Sequence, residues 1–132
     1  MTLKPFLEVK NLNVAFPTED GLVQASNDIS FTVARGETLA VVGESGSGKS
    51  VTSLAVMGLH DRKRTKISGQ AFLNLESGPV DVISADEEVV RKLRGKAMSM
   101  IFQDPMSALH PYYSIGNQLI EAWSLYNEGD KA

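Results

Sequence analysis

The sequence contains no cysteine and no apolar run long enough to cross a bilayer. The absence of thiols excludes disulfides and thiolate metal sites, and it fits a reducing cytoplasm. A membrane-spanning helix needs about 20 consecutive apolar residues, so we expect a chain that is soluble or peripheral. The two histidines, His60 and His110, have no acidic residues at metal-ligand spacing around them. We expect them to be surface or turn residues.

A strong charge of one sign is also missing. The net charge is −3 and the basic residues are scattered, so nothing predicts a nucleic-acid partner. The one local basic cluster, residues 62–66, is interpreted as a solvated loop. The length of 132 residues fits one small domain.

What the chain does contain is the octapeptide GESGSGKS at residues 43–50, which matches the phosphate-binding pattern G-x-x-x-x-G-K-[ST]. Residues 38–42 before it are apolar and β-branched, and they predict a buried parallel strand. Residues 51–58 after it carry apolar side chains at helical spacing. A strand, a glycine loop and a helix, in this order, are typical of nucleotide-binding proteins.

Each residue type in this loop has a chemical reason. Glycines allow backbone N–H groups to converge on an anion, and the start of the helix adds N–H groups and a positive dipole end. Lys49 is placed to reach the β- and γ-phosphates, and the Ser50 hydroxyl to bind Mg²⁺. A ligand-free glycine turn is the alternative, but it needs neither residue. The candidate nucleotide contacts of the loop are Gly43, Ser45, Gly46, Ser47, Gly48, Lys49, Ser50 and Val51.

The rest of the chain predicts an α/β protein. Apolar and polar residues alternate at 7–10, 12–16 and 29–33, which predicts antiparallel strands separated by turns at 17–21 and 35–37. Residues 70–75 alternate in the same way and predict another strand.

Two helices and one further strand are predicted towards the C-terminal side. Residues 84–87 form a capping box for a short helix that ends at Gly95, and residues 98–102 predict a strand that can be buried. Ser114 can cap a second helix with an apolar stripe. The stripe consists of Ile115, Leu119, Ala122, Trp123 and Tyr126.

Four segments together resemble the nucleotide-binding subunit of an ATP-binding cassette (ABC) transporter: residues 7–12, 36–40, 43–50 and 101–109. Residues 43–52 and the stretch through residues 111–113 are similar to the peptide-import branch, which handles dipeptides, oligopeptides, glutathione or nickel complexes. The resemblance implies a partial P-loop NTPase core preceded by an antiparallel β-subdomain. It also implies ATP and Mg²⁺ as cofactors.

The resemblance divides the chain into four parts. We expect an antiparallel β region at about 5–35 and the loop strand with its helix at about 37–59. A strand and helix would lead to the glutamine loop at about 69–105, and the start of a helical subdomain would occupy about 106–127.

Two further residues receive roles from the resemblance. Phe16 matches the aromatic residue that stacks on adenine, and an ordinary strand aromatic is the alternative. Gln103 matches the glutamine that approaches Mg²⁺ and the attacking water and senses the membrane subunit, so Lys49 and Gln103 are the candidate catalytic residues. Ser50 and Gln103 are the candidate metal ligands. His110 departs from the family, which usually carries asparagine there.

Several family motifs are absent from the sequence. There is no apolar strand ending in Asp-Glu, no Leu-Ser-Gly-Gly-Gln signature and no switch histidine further on. We therefore expect the N-terminal part of a cassette that ends after the glutamine loop, and that binds ATP–Mg²⁺ but hydrolyses it poorly or not at all. The resemblance implies that the parent protein is an ATPase that works with permease subunits and a second nucleotide-binding domain. It implies a place on the cytoplasmic face of the membrane.

Two other functions are compatible with parts of the sequence. One is a different P-loop enzyme, such as a small kinase or GTPase, although the guanine-binding motifs Asn-Lys-x-Asp and Asp-x-x-Gly are absent. The other is a non-catalytic interaction fragment that docks through Leu119, Trp123 and Tyr126.

Overall fold

The computed structural model describes residues 4–127 and divides the chain into two compact units, Met1–Arg91 and Lys92–Ala132. Within the described part, no helix is long and apolar enough to cross a membrane. The elements in chain order are strands β1 (Leu7–Thr18) and β2 (Gly21–Val33), helix α1 (Lys49–Val56), strands β3 (Lys66–Leu75) and β4 (Gly78–Asp81), helix α2 (Glu87–Leu93), a 3-10 helix (Pro105–Ala108) and helix α3 (Ile115–Ser124).

The first unit is built on a four-stranded sheet in the order β2-β1-β3-β4, in which all neighbours are antiparallel. Strand β1 is central, so that Leu7 lies opposite Val33 of β2 and Leu73 of β3. This arrangement confirms the antiparallel strands predicted in the first third of the chain and at residues 70–75. The predicted turn between β1 and β2 is also confirmed, at residues 19–20.

The core lies where this sheet meets α1. Val9, Leu12 and Val14 of β1 and Ala71 of β3 form one buried cluster with Ala55 of α1. Burying a large aliphatic side chain of this kind contributes about 1.5–3 kcal/mol. The alternating pattern read from the sequence therefore produces a packed face against which the loop helix rests.

An irregular stretch around Asn11 interrupts the pairing of β1 with both β2 and β3, and side chains hold it in place. Asn11 and Asp28 have positive φ angles of 47° and 52°, and Asn11 Nδ2 donates to Asp28 Oδ1 over 2.6 Å. Gly69 faces this irregularity with φ at 94°, and a Cβ built on it would lie 2.3 Å from the Asn11 carbonyl oxygen. Only glycine fits here, because both the backbone angle and the space exclude a side chain.

Two predicted strands are wrong. Residues 38–42 form no strand, and Val41 and Val42 are 59% and 90% exposed. Residues 98–102 form no strand either, apart from a single parallel bridge between Arg94 and Met98. A buried parallel strand takes its hydrogen bonds from parallel neighbours, and residues 4–127 supply no parallel strand next to either segment.

The predicted capping box is also wrong, although the helix after it is confirmed. Ser84 Oγ donates to Asp81 Oδ2 over 2.8 Å, and α2 begins only at Glu87, with the Asp86 carbonyl accepting from the N–H of Val90. The carboxylate of Asp81 competes for the serine hydroxyl because it is a charged acceptor. Gly95, with φ at 82°, follows the end of the helix as predicted.

The sequence analysis did not predict strand β4. It has four residues, and Pro79 inside it argues against a strand. Because β4 is the edge strand beyond β3, proline costs no ladder hydrogen bond with a further neighbour.

In the second unit, α3 begins as predicted. Ser114 Oγ accepts from the N–H of Asn117 over 3.2 Å, which is an N-cap bond. Gln118 also fastens the preceding loop, because its Oε1 accepts from the N–H of His110 and its Nε2 donates to the carbonyls of His110 and Tyr113. The apolar stripe faces solvent rather than a core, with Leu119 65% exposed and Trp123 57% exposed.

Candidate nucleotide-binding site

The glycine loop of residues 43–48 leads directly into α1, whose N-cap is Gly48. Gly48 has φ at 90°, and a Cβ built on it would lie 2.3 Å from the carbonyl oxygen of Ala25 in β2. The loop therefore passes so close to the sheet that a side chain at Gly48 would push it away. Its glycine is required by contact as well as by backbone angle.

A buried serine fixes the beginning of α1 to β2. Ser26 is 5% exposed, and its hydroxyl lies 2.9 Å from Thr52 Oγ1 and 3.5 Å from the Gly48 carbonyl oxygen. Buried hydroxyls are costly unless they are hydrogen-bonded, and here the bond joins strand to helix. The start of α1 is thus held by its sheet neighbour and not by a side-chain cap.

The N-terminus of α1 is suited to an anion. It has no acidic residue in its first turn, and its N–H donation to a carbonyl begins with Thr52, which bonds Gly48 over 2.9 Å. An α-helix leaves its first N–H groups without an intrahelical acceptor, so those of Lys49, Ser50 and Val51 are available to an incoming group. These N–H groups and the helix dipole favour negative charge at this end.

Lys49 folds back over the loop. Its ammonium nitrogen donates to the carbonyls of Gly43 and Glu44 over 2.7 and 2.6 Å and lies 3.1 Å from Ser47 Oγ. These three bonds match the three donors of an ammonium group. These bonds hold the Lys49 ammonium, the one cation of residues 43–50, against the loop and next to the N-terminus of α1.

The predicted loop residues lie together in one segment of the first unit, in which residues 43–47 and 50 are exposed and residues 48, 49 and 51 are half-buried. Ser50, the candidate magnesium ligand, is in the first turn of α1 and is exposed, so that its hydroxyl is open to solvent. A hydroxyl oxygen is a suitable ligand for Mg²⁺, which keeps several ligands from water or phosphate. Among residues 4–127, no group of three or more histidine, aspartate, glutamate or cysteine side chains could hold a metal.

Phe16 also belongs to the first unit. It is a half-buried residue of β1 that packs against the core cluster, and its ring makes an edge-to-face contact with His60 at 5.6 Å between centroids. His60 Nε2 in turn lies 2.8 Å from the carbonyl oxygen of Val51 in α1. Sequence reasoning missed this link, because nothing in the spacing of Phe16 and His60 signals a contact.

Gln103 belongs to the second unit. It is exposed and lies two residues before the 3-10 helix Pro105–Ala108. The segment that was predicted to end as a strand at this glutamine forms no strand.

Comparison with known proteins agrees with these features. Residues 26–131 match the family described as ABC transporter. The oligopeptide transport ATP-binding protein OppD of Haemophilus influenzae is 44% identical over 98% of this chain and 38% of its own length. The proteins of the same name from Escherichia coli and Salmonella typhimurium are each 46% identical over 96% of this chain and 36% of their own length. The chain spans less than two-fifths of the length of these relatives.

Proposed function

The chain belongs to the ABC transporter family, and from that premise we propose that it is the ATP-binding part of an importer that takes up peptides or related small solutes. The observation that supports this proposal most strongly is the loop of residues 43–48, whose carbonyls bind the Lys49 ammonium at the N-terminus of α1, where no side chain caps the helix. Such an end attracts phosphate through N–H groups, dipole and cation together. The names of the similar OppD proteins support oligopeptides as the solute class.

In this proposal the loop holds the triphosphate. The backbone N–H groups from Gly43 to Val51 would donate to phosphate oxygens, with Ser45, Gly46, Ser47 and Gly48 in between. Lys49 would exchange its carbonyl acceptors for the β- and γ-phosphate oxygens, which are charged and therefore stronger acceptors. Phe16 would stack on the adenine ring.

Mg²⁺ would be held by the Ser50 hydroxyl, by phosphate oxygens and by Gln103. When bound, the ion neutralises charge on the phosphates. The sequence has no acidic residue at the end of a second apolar strand to orient water. We therefore infer negligible hydrolysis by this chain alone, and an ATPase in the longer protein.

We also propose that the longer protein works with transmembrane permease subunits, and that two nucleotide-binding domains pair. Its place would be the cytoplasmic side of the membrane. We propose that the chain has four parts, at about 5–35, 37–59, 69–105 and 106–127, of which the second contributes the glycine loop and α1.

A nucleotide titration tests the proposal. Calorimetry with ATP–Mg²⁺ should detect binding by the chain, and Lys49→Ala should weaken it by at least about tenfold, because an ion-assisted hydrogen bond to phosphate contributes about 1.5–3 kcal/mol. Lys63→Ala is the matched control: Lys63 lies in the turn after α1 and should leave affinity unchanged. Equal affinity of Lys49→Ala and the unchanged chain would refute the loop assignment. Tighter binding of GTP than ATP would favour another P-loop enzyme.

An interaction fragment is the second candidate function, and the exposed apolar stripe of α3 favours it. Such a fragment would bind a hydrophobic dye or self-associate through Leu119, Trp123 and Tyr126. Sedimentation and dye fluorescence distinguish the two candidates when read beside the titration. A dye-silent monomer that binds ATP would contradict the interaction role.

A further inference from the structure

We propose that His60 is a positioning residue for Phe16, which it holds at a fixed place relative to the phosphate-binding helix. This inference rests on the proposed function, because it concerns the ring that would stack on adenine. Its elements are a hydrogen bond to α1, a ring contact to β1 and a cavity beside them.

The hydrogen bond attaches His60 to the N-terminal turn of α1. Its Nε2 lies 2.8 Å from the carbonyl oxygen of Val51, the third residue of the helix. A carbonyl oxygen only accepts, so Nε2 must carry a hydrogen and donate it. The imidazole orientation is thereby fixed by the same turn of helix whose N–H groups face the phosphate loop.

The ring contact attaches His60 to Phe16. The two ring centroids are 5.6 Å apart and the planes are inclined by 71°, which is the edge-to-face geometry that aromatic pairs favour. Phe16 is otherwise supported by the core cluster around β1. His60 thus connects the proposed base platform to the proposed phosphate cradle through one side chain.

The cavity explains why this contact matters. A cavity of about 160 Å³ lies beside His60, lined also by Ala55, Gly58 and Ile67. His60 lines this cavity and Phe16 does not, so the packing that limits movement of the Phe16 ring on this side comes from His60. Truncating His60 would enlarge this space and free the ring to adopt other rotamers.

The positioning role predicts that His60 affects binding of the adenine base but not binding of the phosphates. ATP has both, whereas inorganic tripolyphosphate has the phosphates alone. If His60 acts through Phe16, His60→Ala should weaken ATP binding by about three- to tenfold, the range that one aromatic contact supports. Binding of tripolyphosphate should stay within about twofold. A merely structural role would lower both affinities together.

Calorimetric titration of the full chain with ATP–Mg²⁺ and with tripolyphosphate–Mg²⁺ is the test. His60→Phe keeps a ring but no donor for Val51, and His60→Gln keeps a donor but no ring, so each should recover only part of the ATP affinity that His60→Ala loses. The other histidine gives the control, because His110→Ala lies in the second unit and should change neither affinity. The tripolyphosphate titration also verifies that each variant is folded.

Phe16→Ala separates failure of this inference from failure of the proposed function. If Phe16→Ala leaves ATP affinity intact, the stacking role itself is wrong. If Phe16→Ala weakens ATP binding and His60→Ala does not, or if His60→Ala weakens both ligands equally, the positioning role is overturned. The double variant should bind ATP no more weakly than Phe16→Ala alone, since contacting residues are non-additive when one acts through the other.

Discussion

The two units contain similar apolar residues but differ in whether any of these side chains is buried. Every buried apolar side chain among residues 4–127 lies in the first unit, including Val9, Leu12, Leu73 and Val90. No described side chain of the second unit is buried, and Ile101 is 93% exposed. Apolar composition alone therefore does not decide burial.

What distinguishes the units is whether a segment finds its pairing surface within its own unit. Strand β1 has antiparallel neighbours on both sides and a helix against its face, so that its alternate side chains share one core. The α3 helix has ten residues, and a helix that short is not stable in water on its propensity alone. The lesson is that local pattern predicts an element, but its burial depends on a neighbour.

The largest expected difference between the units comes from two identical substitutions. Leu12 is fully buried in β1, so Leu12→Ala should lower the free energy of unfolding by about 2–5 kcal/mol through lost burial and a cavity. Leu119 is 65% exposed, and Leu119→Ala should change it by less than about 0.5 kcal/mol. Urea unfolding followed by far-UV circular dichroism measures both. Equal losses of unfolding free energy for the two variants would contradict the difference in burial between the units.

A smaller effect is expected at the irregular stretch of the first unit. Gly69→Ala should destabilise the sheet by about 2–3 kcal/mol, because it adds a strained positive φ to a backbone clash with Asn11. Gly21 is the control: it also has a positive φ, at 122°, but a Cβ there would meet nothing within 4 Å. Gly21→Ala should therefore cost only about 1 kcal/mol, from backbone strain alone, in the same urea titration. A greater loss at Gly21 would contradict the steric account.

The smallest expected effect sharpens the comparison from the side of the second unit. Ser114→Ala removes the N-cap of α3 and should speed amide hydrogen exchange in that helix by about fivefold, since a cap contributes about 1 kcal/mol. Ser124→Ala, at the other end of α3, is the control and should have little effect. Amides of β1 should exchange at unchanged rates. A change in β1 would show that the two units do not behave independently.

The accuracy of the sequence predictions depends on whether the signal is local, and not on the unit, because the wrong strand at 38–42 lies in the first unit and the confirmed Ser114 cap in the second. Alternation at residues 7–16 and 70–75 identified strands, because a strand with one buried face repeats its apolar residues at every second position even when its partner is distant, as Leu7 and Leu73 are. The Ser114 cap was identified because its acceptor and donor are three residues apart. Residues 38–42 and 98–102 have equally suitable compositions, but a parallel strand depends on distant segments, and no local pattern reports whether they are present.

At the candidate site, the phosphate-binding loop could be predicted from the sequence, but the contacts that hold it and its helix in place could not. The positions of Gly48 and Lys49 follow from a contiguous motif. The contacts from Ser26 to Thr52 and from His60 to Val51 join residues 26 and nine positions apart, and neither residue type is distinctive. A buried serine or a half-buried histidine becomes visible only when the sheet has been folded against the helix.

The three hydrogen bonds of Lys49 have a consequence for recognition. Lysine side chains in solution move among many rotamers, and ordering one costs up to about 2 kcal/mol. Here the Lys49 side chain is already ordered by hydrogen bonds to the loop carbonyls, so little of this entropy remains to be lost on binding. An arriving polyphosphate meets a preorganised cation and replaces weak neutral acceptors with charged ones. Affinity would therefore reflect an exchange of acceptors, and the loop would act as a template of the complex before any ligand binds.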